Sequence, residues 1–336
     1  MSTTPQTTVD PSVHVSVSPH IRSQNTTATI MRDVCIALMP ALGMGAYAFG
    51  YRVILILVVS LAACMGTEFL YEKLMKLPIT TGDLSAAVTA IILALNLPAT
   101  VPLWMPALGG VFAILIVKML FGGIGQNFMN PALAARCFLL ISFTSAMTKF
   151  PTTVHLLFDN PAITEATPLA ALKAGQPTDW FQMLFNTHSG TIGEASAVAI
   201  LVGLAYLLIR RVIHIRIPAV YILSTVGFVA LIGLISGNAD LFSLDYFATQ
   251  ALGGGLLLGA VFMATDYTTS PVTPWGQVIY ALLLGLLTAL FRTLGSSAEG
   301  VSYAIIIGNL LVPLIEKITV PRPFGVKRAK RGEGTA

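Results

Sequence analysis

Charge is scarce in this 336-residue chain: Lys, Arg, Asp and Glu together make up only 10% of it, against 55% hydrophobic residues. Water-soluble domains carry about a quarter charged residues, so a soluble domain is excluded and an integral membrane protein is indicated, in line with a mean hydropathy of +0.80. Cysteine is scarce too. Cys35, Cys64 and Cys137 sit singly in apolar runs with no Cys-x-x-Cys pair, which argues against a disulfide, zinc or iron–sulfur site. The five histidines, His14, His20, His155, His188 and His214, fall in tails or loops. None pairs at i, i+4 on a membrane segment, so no haem or other metal site is expected, and no Ser-His-Asp spacing suggests a catalytic residue. The formal net charge of +4 comes largely from the ends and one short loop, without a basic face interleaved by aromatics, so nucleic acid is not an expected partner. Residues 1–32 lack the short apolar core and cleavage site of a signal peptide, leaving the first membrane segment to direct insertion.

What the chain has is apolar runs. Ten candidate segments cover 34–49, 51–71, 84–97, 103–121, 132–146, 194–209, 217–236, 247–265, 276–292 and 301–316. Several are shorter than the roughly 20 residues of a full helical crossing. The longest polar stretch, 149–193, holds only Lys149 and Lys173 as basic residues. By contrast, the loop after the sixth segment holds Arg210, Arg211 and Arg216, and the C-terminal tail holds Arg322, Lys327, Arg328, Lys330 and Arg331. Basic residues near membrane ends mark the cytoplasmic side. Both termini are therefore expected inside and the 149–193 stretch outside.

The two halves resemble each other. Leu103 to Lys118 has a counterpart in Gln277 to Arg292, a basic residue closing each apolar run. Each is followed by a short apolar segment opened by a turn signal, Asn130-Pro131-Ala132 or Glu299-Gly300-Val301. A five-segment unit has an odd number of crossings, so its repeat enters the membrane inverted, and short Gly- or Pro-bounded segments in corresponding places point to broken helices meeting near the midplane. The expected fold is an all-α integral membrane protein of about ten transmembrane helices in two inverted five-helix repeats with short or broken helices. Its parts are an N-terminal cytoplasmic tail (1–32), a first repeat (33–148), an extracytoplasmic loop (149–193), a second repeat (194–318) and a basic cytoplasmic tail (319–336).

Ionisable groups in or beside apolar runs are functional candidates by default: Asp83, Lys118, Arg136, Glu194, Asp266, Arg292 and Glu299. Asp83 and Glu194 stand where a carboxylate also suits a helix start. Asp266 ends a Gly-rich run among hydroxyls, Thr265-Asp266-Tyr267-Thr268-Thr269-Ser270, a set suited to a hard cation or a polar ligand, or to a simple helix end. Gly122, Gly123 and Gly125, followed by Asn127 and Asn130, form a flexible loop before an apolar helix that can receive a phosphate or a flavin edge. Gly253, Gly254, Gly255 and Gly259 allow equally close approach, or tight helix packing.

Taken together, several motifs are similar to those of one family: Ser18-Pro-His-Ile-Arg-Ser23, Ile30-Met-Arg-Asp-Val34, the Phe121-Gly-Gly-Ile-Gly loop, Asn130-Pro-Ala-Leu-Ala, Ser189-Gly-Thr-Ile-Gly-Glu-Ala-Ser196, Met263-Ala-Thr-Asp266 and Glu299-Gly-Val301. Over nearly its whole length the chain resembles the RnfD component of the Rnf ion-translocating ferredoxin:NAD oxidoreductase, related to the NqrB component of the sodium-pumping NADH:quinone reductase. The resemblance implies FMN joined by a phosphodiester bond to the threonine of a Thr-x-Ala-Thr-Pro-Leu segment by a separate flavin transferase on the outer face. The matching residue is Thr167; Thr164 lacks the Ala-Thr-Pro context. Glu165 stands where the family usually has Gly, and Pro161 where it commonly has Asp, with Asp159 nearby.

The resemblance further implies a multi-pass subunit of the bacterial inner membrane that assembles with other Rnf-type subunits and relays electrons coupled to Na+ or H+ transport, as part of a translocase with no complete active site on this chain. It also implies a noncovalent riboflavin. Asp83 and Asp266 are then the acidic pathway candidates. Lys118 and Arg136, with Gly122, Gly123 and Asn130, are candidates beside a flavin. The rival reading is a channel or secondary transporter with inverted repeats and no redox chemistry, which leaves the Thr167 segment unexplained.

Overall fold

The computed structural model describes residues 26–151, 166–176, 178–185, 189–235, 243–295 and 300–321, and among these the chain is helical with no β-strand. The expectations attached to Asp159, Pro161, Thr164, Glu165, His155, His188, Glu299 and the two tails lie outside the described residues.

Helices start where a polar side chain can satisfy their first free amides. Thr26 and Thr29 form a reciprocal capping box on α1 (Thr27–Phe49). The helix therefore begins at Thr27, well ahead of the apolar run at 34. After α2 (Arg52–Leu74), Asp83 accepts from the Ser85 amide at 2.8 Å to open α3 (Ser85–Leu95). Next come α4 (Trp104–Phe121) and α5 (Pro131–Ser142), the latter capped by Asn130 with Pro131 in its first turn. Short helices α6 (Thr144–Met147), α7 (Pro168–Lys173) and α8 (Trp180–Leu184) lead to α9 (Ala197–Ile209), capped by Ser196, and α10 (Arg216–Ile235). The chain continues through α11 (Leu244–Leu252), α12 (Leu256–Met263), α13 (Pro274–Leu294), capped by Thr273, and α14 (Val301–Thr319).

Every one of the ten apolar segments falls on a helical element. Six of them, α1, α2, α4, α10, α13 and α14, are long and apolar enough to cross a membrane, or seven when α11 and α12 are taken as one span bent by 51°. The bend lies at Gly254 and Gly255, whose φ values of 64° and 68° are in the left-handed region that favours glycine. The helices α3, α5 and α9 are shorter, at 11, 12 and 13 residues. A rise of 1.5 Å per residue makes each about 16–20 Å long, less than the hydrocarbon thickness. The shortest of them, α3, is covered by protein: every residue except Val88 is buried, and the loop that follows it accepts the Ile192 amide on the Leu97 carbonyl at 3.1 Å. Irregular backbone at membrane depth is tolerated under such cover.

Packing follows a corresponding order in the two halves. The α2 helix lies on α4 as α10 lies on α13, and α4 on α5 as α13 on α14. Across the halves, α1 meets α9 and α5 meets α14. Small residues allow the close approaches, since apolar lipid gives helices little hydrophobic reason to associate. A Cβ on Gly203 of α9 would strike the Ala37 carbonyl of α1, and one on Gly285 of α13 would strike Ser224 of α10. Large apolar side chains such as Val58, Leu70, Leu223 and Leu231 point outward.

Two ends can be distinguished. At one, Asp33 near the start of α1 pairs with Arg210 just past α9 (2.9 Å) and accepts from the Tyr206 hydroxyl (3.2 Å), while the Tyr267 hydroxyl donates to the Val212 carbonyl. At the other, Arg52 at the start of α2 donates to the Ala99 and Val101 carbonyls (3.1 and 3.2 Å), and Thr100 donates to the Lys149 carbonyl (2.6 Å).

Candidate functional site

Polar groups gather at the Asp33 end, between the halves. A cleft is lined there by Ser85, Lys118, Asn127 and Asn130 from the first half and by Thr265, Asp266 and Thr268 from the second.

On the first-half side, Lys118 is almost completely buried, 2% exposed, and its ammonium donates to Glu68 Oε1 and to Ser85 Oγ, each at 2.6 Å. The Ser85 hydroxyl in turn donates to Asp83 Oδ1 at 2.5 Å. One cation is thereby shared between Glu68 directly and Asp83 through a hydroxyl. The stretch Phe112–Lys118 is wound more widely than an α-helix, with i→i+5 hydrogen bonds, a local distortion that recurs at functional positions. Glu72, one turn from Glu68 and also buried, accepts from the Thr80 hydroxyl (2.5 Å) and amide (3.1 Å) and from the Thr81 hydroxyl (3.2 Å). A buried carboxylate is tolerated only with such partners. Glu68 Oε2 has no hydrogen-bond partner among the described residues.

On the second-half side, Asp266 is half-buried and accepts long bonds from the Thr268 amide (3.4 Å) and the Thr268 and Thr269 hydroxyls (3.2 and 3.4 Å). The Asn309 amide of α14, oriented by its partners, accepts from the Asn130 amide and donates to the Thr269 carbonyl, both at 3.2 Å, and to the Tyr280 hydroxyl at 2.7 Å. It joins the cap of α5 to the Asp266 turn.

Deeper between the halves, Arg136 of α5 donates to Asn96 at the end of α3 (3.2 Å) and to Ser302 of α14 (2.8 Å). Arg292, at the end of α13, donates to the Gln250 carbonyl and side chain (2.5 and 3.1 Å) and to the Gly253 carbonyl (2.7 Å). It holds the broken α11–α12 pair by the carbonyls that the break exposes. Glu194 accepts from Thr191 at 2.9 Å and lies 3.1 Å from where a Gly255 side chain would start.

The structure thus brings Asp83, Lys118, Asn130 and Asp266 to one end of the molecule and places Arg136 between the halves. Gly122 and Gly123, at φ 113° and 90°, turn the chain after α4 and carry Ile124 and Asn127 to the cleft, without lining it themselves. Thr167 lies away from the cleft, on the Arg52 end. It caps α7, its hydroxyl accepting from the Ala170 amide at 3.3 Å, and the Ala166 carbonyl before it accepts from Ser189 at 2.8 Å.

Glu68 is absent from the sequence-based candidates, although an acid inside the 51–71 run carries the same signal as those chosen. Asn309 and Ser302 give no such signal, being common residues whose partners lie far away in sequence.

For a flavin, the donor set fits in chemical type: Asn127 Oδ1 is a buried acceptor without a hydrogen-bond partner among the described residues, and Asn130, Thr268 and Lys118 supply further polar groups beside apolar walls.

The helices and the buried polar clusters between their halves define a multi-pass membrane protein with short and broken helices around a charged interior. Comparison with known proteins narrows this class. The chain belongs to the NQR2, RnfD, RnfE family, whose model matches residues 14–325. It is 44% identical over 323 residues to the RnfD-type component of the Na(+)-translocating ferredoxin:NAD(+) oxidoreductase complex of Acetobacterium woodii, covering 94% of this chain and 96% of that one. It is 38% identical over 325 residues to the corresponding component of the proton-translocating complex of Clostridium ljungdahlii, again 94% and 96%. With its counterpart in the ion-translocating oxidoreductase complex of Actinobacillus pleuropneumoniae it shares 32% over 350 residues, 93% of this chain and 98% of that one. These relatives are subunits of an ion-translocating oxidoreductase complex.

Proposed function

We propose that this chain is the RnfD-type membrane subunit of a redox-driven, ion-translocating ferredoxin:NAD oxidoreductase, carrying FMN on Thr167 and conducting Na+ or H+ between its halves. The observation that carries this reading is the match to such subunits over more than nine-tenths of both chains. Other subunits of the complex and a flavin transferase are its partners, and the bacterial inner membrane is its place, with the Thr167 end outward and the Asp33 end inward by the distribution of Arg and Lys.

A flavin passes electrons singly or in pairs; the chain's own residues position it and answer the charge. At the inner end, Glu68, Asp83 and Asp266 offer carboxylates to an incoming cation. Lys118 offsets negative charge in the cleft, and its ammonium is held within 2.6 Å of Glu68 and Ser85. A change of charge in the cleft alters how Lys118 is shared between Glu68 and the cleft wall, because such interactions are strong away from water. Arg136 and Asn309 tie the halves together, so movement of one half is felt by the other. The cleft is the proposed seat of the noncovalent riboflavin that the family likeness implies, with Asn127 and Asn130 as polar contacts and Lys118 beside it.

Expression with the transferase and intact-protein mass spectrometry test the reading. A mass increase of one FMN less water, lost in Thr167→Ala, supports it. A bare polypeptide mass favours the channel or transporter without redox chemistry.

A further inference from the structure

The acceptor threonine is shut away. Thr167 is only 6% exposed, its hydroxyl is engaged by the Ala170 amide, and its carbonyl accepts from Ala171 at 2.9 Å. The helix it opens is fastened through several contacts. Leu169, 3% exposed, fills the notch left by the absent side chain of Gly254, where a Cβ would lie 2.8 Å from Leu169 Cδ2 and 2.9 Å from Arg292 Nη2. Ser189 holds the Ala166 carbonyl at 2.8 Å. The Lys173 ammonium donates to the carbonyls of Arg292 (3.4 Å) and Gly295. Thr178, in the strap after α7, meets Thr249 of α11 at 2.9 Å between hydroxyls.

Group transfer to a threonine needs its oxygen in line with the phosphorus at near contact inside the transferring enzyme. The oxygen of the docked threonine is buried and held by the Ala170 amide, out of reach of such a site. We propose that α7 is a latch that opens and closes: the transferase acts on the undocked form, and α7 docks again on the α11–α12 break once Thr167 has been modified. This rests on the reading of Thr167 as the FMN site.

With a flavin dinucleotide as donor, the bond formed is Thr167 Oγ1 to the flavin-side phosphorus. The phosphoanhydride bond breaks, the nucleoside monophosphate leaves, and the hydroxyl proton passes to a base of the transferase. The ester oxygen keeps lone pairs, so the cap to Ala170 can re-form when α7 docks. The latch seats on the break held by Arg292, and α12 runs from that break toward Asp266. Occupancy of Thr167 is thereby linked to the helix that reaches the cleft.

The test uses the full-length subunit made without transferase, then given transferase and flavin dinucleotide, with covalent flavin followed against time by in-gel fluorescence and intact mass. The variants lie outside residues 163–169. Lys173→Ala with Ser189→Ala removes latch bonds and is expected to take up flavin several-fold faster than the parent. Thr178→Cys with Thr249→Cys, oxidised, ties the strap to α11 and is expected to slow uptake about fivefold or more, as the open fraction falls by that factor; reductant restores the rate. Equal rates in all three forms overturn the latch and leave FMN at Thr167 standing. A parent chain that takes up no flavin even when co-expressed with the transferase overturns the proposed function, and the latch with it.

Discussion

Lys118 and Glu68 form an ion pair of 2.6 Å with both side chains at 2% exposure or less. A buried pair of this kind is fragile to loss of one member, because the other charge is left without an answer. Replacing Glu68 by Gln is expected to destabilise the subunit by about 3–5 kcal/mol, whereas Glu68→Gln combined with Lys118→Met costs less than either change alone. Thermal midpoints of the variants in one detergent check the order.

Asp266 lies on the cleft wall and is held by long bonds, which leaves its carboxylate able to change partners. Asp266→Asn is expected to lower ion uptake into sealed vesicles severalfold while covalent flavin content stays at the parent level. Equal uptake by the two proteins removes Asp266 from the pathway.

Beyond its own helix, Asn309 satisfies three groups at once: the Asn130 amide, the Thr269 carbonyl and the Tyr280 hydroxyl. Asn309→Leu leaves them buried and unpaired, at about 1–3 kcal/mol for each such group. The expected result is a lower thermal midpoint and faster hydrogen exchange at the start of α5, measured by mass spectrometry.

Gly254 combines a φ of 64° with the notch that receives Leu169. Gly254→Val adds bulk to a filled site and strain to the backbone, about 1–3 kcal/mol for the overpacking. Since Leu169 is the displaced neighbour, α7 should lift. Trypsin cleavage at Lys173 is expected to accelerate relative to the parent.

Much of the fold is legible in the sequence because membrane helices announce themselves by apolar length and by the polar residues at their ends. Asn130-Pro131 and Asp83 mark helix starts in both sequence and structure. The break at Gly253-Gly254-Gly255 shows as a glycine run, but whether such a run marks a bend or close packing is settled only by what sits against it, here Arg292 and Leu169. The site is less legible. Lys118 and Asp266 stand out as charges in apolar surroundings, yet their meeting at one cleft depends on how α3, α4 and α12 pack. The tie made by Asn309 joins residues far apart in sequence, and an asparagine in an apolar run does not declare its partner. The docking of Thr167 at the head of α7 is equally invisible, since a Thr-Pro pair opening a helix reads the same whether the helix is free or clamped.

The sheathing of α3 bears on how the protein is made. Its eleven residues offer lipid almost no surface, and the walls around it include α5 and the Ile192–Glu194 turn, which are synthesised later. A nascent chain halted before residue 192 would hold α3 without its final neighbours, so its stable integration has to wait for segments still on the ribosome. Truncations in the connection between the halves would then fail at biogenesis rather than at catalysis.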